Sequence, residues 1–273
     1  YLYKRQREEV TWLRWQENKA TGKGPEIMVQ VQGGMQRVRV LKAGSIGTRG
    51  SVIFFTVTRS DFLFNTTYMI DVIFPTRTEA RHFDAPEGVR VHFCGVGLTD
   101  AAIFIAGLLA KEERPEAVVM GGIAGVYPHS RFKIGDTVIV EKEREADLGF
   151  FYPDGFRLLA RMDNVLDFPI SEWITCPWID ERITLPRASS NSMNAAMAPF
   201  APTDDADIEN MEGAPFFKAC TRAGVPFFEL RTISNEVDLN RKEWDYEGSI
   251  KKLGHHMSLF VRSLAEAMPN TAL

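Results

Sequence analysis

Residues 207–214 read Asp-Ile-Glu-Asn-Met-Glu-Gly-Ala, and residues 227–235 read Phe-Phe-Glu-Leu-Arg-Thr-Ile-Ser-Asn. The segment between them carries apolar residues at helical spacing, with a proline near its start and Gly224 at its end. The second stretch predicts a strand. A strand, a crossover helix and a second strand place both strand ends at one edge of a parallel sheet, where open α/β folds bind ligands. We therefore predict that Glu212 and Asn235 share a cleft.

The same alternation of strands and helices extends through the chain from residue 69 onward. Strands are predicted at residues 69–75, 89–94, 117–120, 136–140 and 182–189, and helices at 100–113, 156–162 and 241–268. Thr99 is the predicted N-cap of the first of these helices. This order of elements predicts an α/β fold, a three-layer sandwich with a central mixed, largely parallel sheet.

Residues 1–68 differ from the rest of the chain in charge and in pattern. They carry 11 Lys and Arg against 5 Asp and Glu, whereas residues 69–273 carry 21 against 31. The positive charges are scattered, without the basic stripe or interleaved aromatic residues of a nucleic-acid site. We predict a basic N-terminal extension, poorly ordered or a non-native start, followed by one folded domain at 69–273. Met69 is the hypothetical natural start.

Length and composition exclude several classes of protein. A chain of 273 residues with 45% apolar side chains can bury a core of ordinary density. No stretch approaches the ~20 apolar residues of a membrane span and no signal-peptide pattern opens the chain, so we expect a soluble cytoplasmic protein without membrane or nucleic-acid partners. Cys94, Cys176 and Cys220 are odd in number and far apart, which favours free thiols over disulfides or zinc ligands. We expect no metal and no cofactor.

Two carboxylates and two glycine-rich segments are candidates for chemistry. Glu212 lies in an apolar context, where a buried glutamate is costly, and its two oxygens can accept hydrogen bonds from a pair of ribose hydroxyls. Glu79 follows the first strand and could deprotonate a water, although such a residue alone is more often a solvated glutamate at a helix start. Residues 121–125 read Gly-Gly-Ile-Ala-Gly, and Gly95 and Gly97 form a second cluster. Both clusters predict close approach of a ligand to the main chain, with a structural turn as the alternative.

From residue 69 to about residue 264 the chain resembles the superfamily of purine nucleoside phosphorylases and methylthioadenosine nucleosidases. The motifs that carry this resemblance are residues 121–125, Lys-Ile-Gly-Asp-Thr-Val at 133–138, Asn-Met-Glu-Gly-Ala at 210–214 and Arg-Thr-Ile-Ser-Asn at 231–235. Within the superfamily, Tyr127-Pro128, residues 145–149, and Ser234-Asn235 followed by Arg241 and Trp244 resemble the futalosine hydrolases. The resemblance implies hydrolysis of an N-glycosidic bond, with release of hypoxanthine from futalosine in menaquinone biosynthesis.

The resemblance also implies roles for individual residues. Glu79 would be the catalytic base that positions the water, Glu212 the ribose clamp, and Asn235 the polar group that holds the base. The further substrate-binding residues it implies are Gly121, Gly122, Ile123, Asn191, Asn210, Met211, Arg231 and Ser234. By charge alone, Arg144 and Arg187 are candidates for the benzoate end of the substrate.

Asn235 distinguishes between purines on physical grounds. Its amide offers one acceptor and one donor, so it can accept from a protonated N7 and donate to a 6-keto oxygen. Adenine-specific relatives carry aspartate at this point, which can accept from a 6-amino group. Asn235 therefore favours a 6-oxopurine such as hypoxanthine over adenine.

Three alternatives stay open at this point. A methylthioadenosine or adenosylhomocysteine nucleosidase shares the same motifs. A phosphorylase would need a cationic cradle for phosphate, for which Arg77 and Arg81 are close enough in sequence, although the phosphorylase-like glycine-rich first turn with a following arginine is missing from residues 74–78. A ligand-binding protein without turnover is the third, because fold alone does not establish activity. The expected partners are a small nucleoside and further copies of the chain, with Trp173 and Trp178 as a candidate surface for a homo-oligomer.

Overall fold

The chain forms two compact units in the computed structural model, Tyr1–Thr66 and Thr67–Leu273. Residues 70–111, 113–163, 167, 169–238 and 244–268 are described in full, and the first unit is described by its strands alone. These are β1 (Trp12–Gln16), β2 (Glu26–Val31), β3 (Gly34–Arg39), β4 (Gly47–Arg49) and β5 (Val52–Phe54). Strands β1 to β3 form an antiparallel sheet, and β4 pairs with β5. Met69 lies outside the described residues, and the predicted character of residues 1–68 stays a prediction.

The second unit contains ten strands and three helices among its described residues. Its strands are β6 (Ile70–Phe74), β7 (Val89–Phe93), β8 (Ala117–Val126), β9 (Thr137–Glu145), β10 (Gly149–Tyr152), β11 (Gly155–Leu158), β12 (Ile174–Thr175), β13 (Arg187–Ser192), β14 (Ile208–Asn210) and β15 (Phe227–Glu236). Its helices are α1 (Leu98–Leu109), α2 (Gly213–Ala223) and α3 (Tyr246–Ala267), and a single turn of 3-10 helix spans Leu159–Arg161.

Eight of these strands form one sheet, part of which closes on itself. The pairing order is β12-β9-β13-β14-β8-β6-β7, and β15 pairs with both β8 and β9. Strands β9, β13, β14, β8 and β15 therefore make a closed ring. Five of the pairings are parallel and three are antiparallel. The prediction of a mixed, largely parallel sheet is confirmed, whereas a three-layer sandwich is not, because the ring replaces a simple open middle layer.

Helices cover the sheet through two separate apolar cores. Helices α1 and α2 pack together over one core, where Phe216 and Phe217 are fully buried. Helix α3 buries Leu253, Met257 and Val261 in the other core, as its apolar spacing predicts. Among the helices of the described residues, none combines the length and the apolar character that a membrane span requires.

The structure differs from the sequence predictions at three places. Strand β14 runs antiparallel to β8 whereas β15 runs parallel to it, so the crossover rule does not apply to β14-α2-β15. The predicted helix at 156–162 is instead strand β11 and the 3-10 turn, because Pro-Asp at 153–154 closes a hairpin between β10 and β11. Thr99 does not cap α1: the helix starts after Gly97, at φ 95°, which is accessible to glycine. Arg241, the predicted start of the last helix, lies outside the described residues.

Candidate active site

The guanidinium of Arg231 is the centre of the site. Its side chain is 1% exposed, and its Nε donates to Glu229 Oε1 at 2.6 Å. Its Nη1 donates to Glu212 Oε2 at 3.1 Å and to the carbonyl of Ile123 at 3.2 Å, and its Nη2 donates to Asn210 Oδ1 at 3.1 Å. A planar fork with this many partners is held in one orientation. Arg231 therefore fixes the position of the Glu212 carboxylate, as a brace within strand β15.

Gly122 makes room for that guanidinium. A Cβ at this position would lie 2.2 Å from Arg231 Nη1 and 3.4 Å from Glu79 Oε1. Gly121 points to the other face, where a Cβ would meet Met257 and Phe74 at 2.8 Å. The sequence prediction that these glycines leave a bare strand end is wrong, because strand β8 continues through them to Val126. Because these glycines lack side chains, Arg231 can pack against one face of β8 and helix α3 against the other.

Glu79 lies in the turn after β6, 5% exposed, within reach of Arg231. Its Oε2 accepts from Thr76 Oγ1 at 2.8 Å and its Oε1 accepts from the N–H of Ile123 at 3.1 Å. Burial raises the pKa of Glu79, while the hydrogen bonds from Thr76 and Ile123 and the charge of Arg231 oppose the shift. The N–H of Ile123 thus donates to Glu79, and its carbonyl accepts from Arg231. The Glu79 carboxylate and the Arg231–Glu212 ion pair therefore meet at one residue of β8.

Glu212 lies at the N-cap position of α2. Its Oε1 accepts from the N–H of Gly97 at 3.3 Å, which gives the second glycine cluster a contact with the site. Asn210 Oδ1 accepts from the N–H of Glu212 at 2.8 Å and of Gly213 at 2.7 Å. Met211, between them, is half-buried. Asn210 therefore fixes this turn, and its contact with substrate stays a prediction.

Two buried acids that the sequence reasoning missed support this turn. Glu143 is fully buried and accepts from Asn210 Nδ2 at 2.6 Å and from Ser192 Oγ at 2.7 Å. Glu229 is also fully buried, and within the described residues its Oε2 has no hydrogen-bond partner. Burial and then Glu229 hold the pKa of Glu143 well above its ordinary value, and burial raises the pKa of Glu229 against the opposing charge of Arg231. Glu229 follows two phenylalanines in β15, where a lone charge is a signal, whereas Glu143 lies in the charged run at 141–145, where nothing in the sequence distinguishes it.

Asn235 and Ser234 lie at the far end of β15. Ser234 Oγ donates to Asn235 Oδ1 at 2.8 Å, and Asn235 Nδ2 donates to the carbonyl of Glu236 at 3.0 Å. Asn235 is paired with Gly125 of β8 and, through an isolated bridge, with Trp244. Arg231 is paired with Gly122 on the same strand, so the two polar groups lie three β8 residues apart. Glu212, which is bonded to Arg231, therefore lies close to Asn235. It is antiparallel β14 that brings Glu212 to this position, and not a strand edge shared with β15.

Asn191 belongs to a second buried cluster, which Tyr127 joins to Glu209. Its Oδ1 accepts from Arg144 Nε at 2.9 Å, and its Nδ2 donates to Tyr127 Oη at 2.9 Å and to the carbonyl of Pro202 at 2.8 Å. Its amide is therefore committed to the protein, and the structure does not bring it to Glu79 and Glu212. Arg144 is 1% exposed and pairs with Glu172 at 2.5 Å, which leaves this candidate for the benzoate end inside the protein.

A loop after β13 joins the two ends of the site. Asn194 Oδ1 accepts from the N–H of Leu98 at 3.1 Å, next to the glycine that contacts Glu212. Met197 donates its N–H to Glu209 Oε1 at 2.8 Å, and Glu209 is paired with Gly125 directly opposite the Asn235 pairing. Contacts therefore run from Glu212 through this loop to the Asn235 end and back along β15 to Arg231.

Residues 86–266 of the chain match the model of the phosphorylase superfamily. The chain belongs to this superfamily. It is similar to a futalosine hydrolase of Acidothermus cellulolyticus, with 34% identity over 174 residues that cover 59% of the chain and 70% of that protein. It is also similar to a futalosine hydrolase of Thermus thermophilus, with 32% identity over 158 residues that cover 54% and 69%.

A solved structure of a futalosine hydrolase mutant of Helicobacter pylori strain 26695 shares the fold, with a TM-score of 0.54 and 18% identity over 72% of this chain and 98% of that chain. The fold of this phosphorylase superfamily member is therefore nucleoside phosphorylase-like. The family model and the two sequence relatives show that the chain is a futalosine hydrolase-like nucleosidase, an enzyme that hydrolyses an N-glycosidic bond.

Proposed function

We propose that this enzyme hydrolyses the N-glycosidic bond of futalosine and releases hypoxanthine, as a step of menaquinone biosynthesis in the cytoplasm. The observation that carries the proposal is the placement of Asn235 three β8 residues from the Glu212–Arg231 ion pair, with Glu79 bonded to the residue between them. The names of the two sequence relatives supply the substrate.

The nucleoside would lie along β8 between these groups. A strand advances about 3.3 Å per residue, so the pairings of Arg231 and Asn235 are separated by roughly 10 Å, a length that a purine joined to a ribose can span. Glu212 would accept from the ribose hydroxyls, and Met211 would contact the sugar. Ser234 would hold the Asn235 amide toward the base.

Glu79 would act as the general base. The C–N bond breaks early, an oxocarbenium-like sugar forms, and Glu79 takes a proton from the attacking water. Burial raises the pKa of Glu79, which brings the base closer to the pH at which it works. The carboxylate of Glu212 is fixed before the reaction by Arg231 and Gly97, and its charge stabilises the positive sugar at no cost of reorganisation.

The amide of Asn235 would select the base. It can donate to a 6-keto oxygen while it accepts from a protonated N7, which suits hypoxanthine. An adenine would present an amino donor to the amide donor, and one hydrogen bond would be lost. A buried polar group left without its partner costs about 1–3 kcal/mol, enough for a clear preference.

The main alternative to hydrolysis is phosphorolysis, in which one of three arginines would have to bind the phosphate. Arg81 pairs with Glu247 at 3.0 Å, Arg77 lies 4.7 Å from the centre of the Phe93 ring, and Arg231 is bound to two carboxylates. These arginines have other partners, which favours water over phosphate as the nucleophile.

Purine release from futalosine, aminodeoxyfutalosine, methylthioadenosine and inosine, with and without added phosphate, tests the proposal. We expect hypoxanthine from futalosine at the same rate in both buffers, followed by liquid chromatography. A requirement for phosphate would make the enzyme a phosphorylase. Preference for methylthioadenosine would place it with the adenine-specific nucleosidases, and binding without release of any purine would leave a nucleoside-binding protein.

We also propose that the catalytic domain spans residues 69–273 and that the enzyme is a homo-oligomer. Trp178 is 43% exposed, whereas Trp173 is engaged by Lys142 and Arg144, whose charges lie 4.2 and 4.3 Å from the ring centre. Of the two predicted surface tryptophans, Trp178 is therefore the one placed to contact another copy. Light scattering on the wild type and on Trp178→Glu tests this: a monomeric wild type would refute it.

A further inference from the structure

Glu209 faces Asn235 across a gap left by a glycine. Both residues pair with Gly125, Glu209 from β14 and Asn235 from β15. A Cβ at Gly125 would lie 3.1 Å from Asn235 Nδ2 and 3.4 Å from Glu209 Cγ. Both distances are measured from the same Cβ position at Gly125, so the side chains of Glu209 and Asn235 lie on either side of the space above this glycine. A carboxyl group therefore stands beside the residue that would hold the base.

The surroundings of Glu209 fix its carboxyl group. Its Oε2 accepts from Tyr127 Oη at 3.0 Å and its Oε1 from the N–H of Met197. Met197 has a φ of 60°, and among the described residues no other non-glycine residue has a positive φ. Such a conformation is costly and persists where the surrounding structure requires it. Here it directs an N–H group at Glu209.

The environment favours the protonated form of this carboxyl group. Burial raises the pKa of Glu209, and the hydrogen bonds from Met197 and Tyr127 oppose the shift only in part. The titratable groups around it are Tyr127, in direct contact, and Arg144, which reaches Tyr127 through Asn191. Burial also raises the pKa of Tyr127, so this hydroxyl stays a donor.

The proposed reaction needs an acid that the residues assigned so far do not supply. The departing purine must gain one proton, and the amide of Asn235 has none to release. Glu79 takes a proton from the water, and Glu212 is held by Arg231 as an ion pair. A carboxylic acid next to Asn235 would complete the set.

We propose that Glu209 is the catalytic acid that protonates the departing purine beside Asn235. The assignment rests on the function proposed above. The bond between the sugar C1′ and the purine nitrogen breaks, its electron pair stays with the purine, and the purine takes the proton of Glu209. The water oxygen bonds to C1′ and its proton passes to Glu79. The Glu209 carboxylate that results accepts from Tyr127 and Met197 until exchange with solvent returns a proton to Glu209 and removes one from Glu79.

Glu209→Gln tests the assignment, with Glu236→Gln as the control, since Glu236 is exposed and adjacent to Asn235. For futalosine we expect kcat/KM of Glu209→Gln to fall by about 10²–10⁴-fold, the usual contribution of a general acid. For 4-nitrophenyl riboside, whose leaving group departs without a proton, we expect a loss below about threefold. The control should match the wild type on both substrates.

The pH profile separates an acid from a structural residue. In the wild type, kcat/KM should fall as pH rises through the pKa of Glu209, because the acid loses its proton. Glu209→Gln should lack this alkaline limb, and Tyr127→Phe should move it to higher pH, since the lost hydrogen bond stabilised the carboxylate. Wild-type activity of Glu209→Gln, or an unchanged alkaline limb, would overturn the assignment. A wild type that releases no purine would instead refute the function on which it rests.

Discussion

Replacing Arg231 by methionine tests whether this buried guanidinium holds the site together. In the wild type Arg231 is 1% exposed and bonds to Glu229 at 2.6 Å and Glu212 at 3.1 Å, whose side chains are 0% and 5% exposed. Removing one member of a buried pair leaves an uncompensated charge, at a cost of about 3–5 kcal/mol. That is a large fraction of the ~5–15 kcal/mol by which a protein of this kind is stable.

The deficit should also depend on pH. Burial already raises the pKa of Glu229 above its ordinary 4.5, and the charge of Arg231 limits the shift. Without Arg231 the folded state holds a proton at Glu229 that the unfolded state releases above about pH 4.5. The stability of Arg231→Met should therefore decrease as pH rises, by up to about 1.4 kcal/mol per pH unit, until the folded pKa is passed.

Urea unfolding followed by circular dichroism at pH 5.5, 6.5 and 7.5 measures both effects. Arg182→Met is the matched control, since its pair with Asp180 is exposed and is worth at most about 1 kcal/mol. The reasoning fails if Arg231→Met unfolds within about 1 kcal/mol of the wild type at pH 7.5 with no added dependence on pH.

Three further changes and one control have defined outcomes. Glu79→Gln should lower turnover of futalosine about 10²–10⁴-fold. The wild-type rate should fall as pH drops through the raised pKa of Glu79, because the base is then protonated. Hypoxanthine release measures both effects, and near-normal turnover of Glu79→Gln would refute the assignment. Asn235→Asp should shift the ratio of kcat/KM toward 6-aminopurine nucleosides, and an unchanged ratio would contradict the role of the amide. Gly122→Ala should destabilise the protein by about 1–3 kcal/mol and reduce activity, because its Cβ meets Arg231. Gly107→Ala is the control, since a Cβ there has no neighbour within 4 Å, and it should be neutral or stabilising; urea unfolding measures both glycine variants.

Local patterns predicted the elements whose causes are local. The buried strands β6 and β8, helix α2 with Gly224 at its end, and the apolar stripe of α3 follow from spacing and punctuation in the sequence. The same patterns were wrong at residues 156–162. Apolar spacing there predicts a helix, whereas the two-residue turn at 153–154 folds the chain into a hairpin. A tight turn reverses the chain and pairs the residues on its two sides as strands, whatever helix the apolar spacing of those residues would otherwise favour.

The sequence by itself made Glu79, Glu212 and Asn235 candidates for the chemistry, in part because a carboxylate within an apolar run is costly unless it has a use. Sequence reasoning did not single out Glu143, Glu229 or Glu209. Only the tertiary structure decided how they meet. Strand β14 runs antiparallel to β8, the sheet closes through β15, and Glu143, Glu229 and Glu209 are thereby brought to Arg231 and Asn235. Contacts in the site join residues as far as 115 positions apart, such as Gly97 and Glu212. They depend on strand direction and pairing partner, which hydrophobic periodicity along a single strand does not encode.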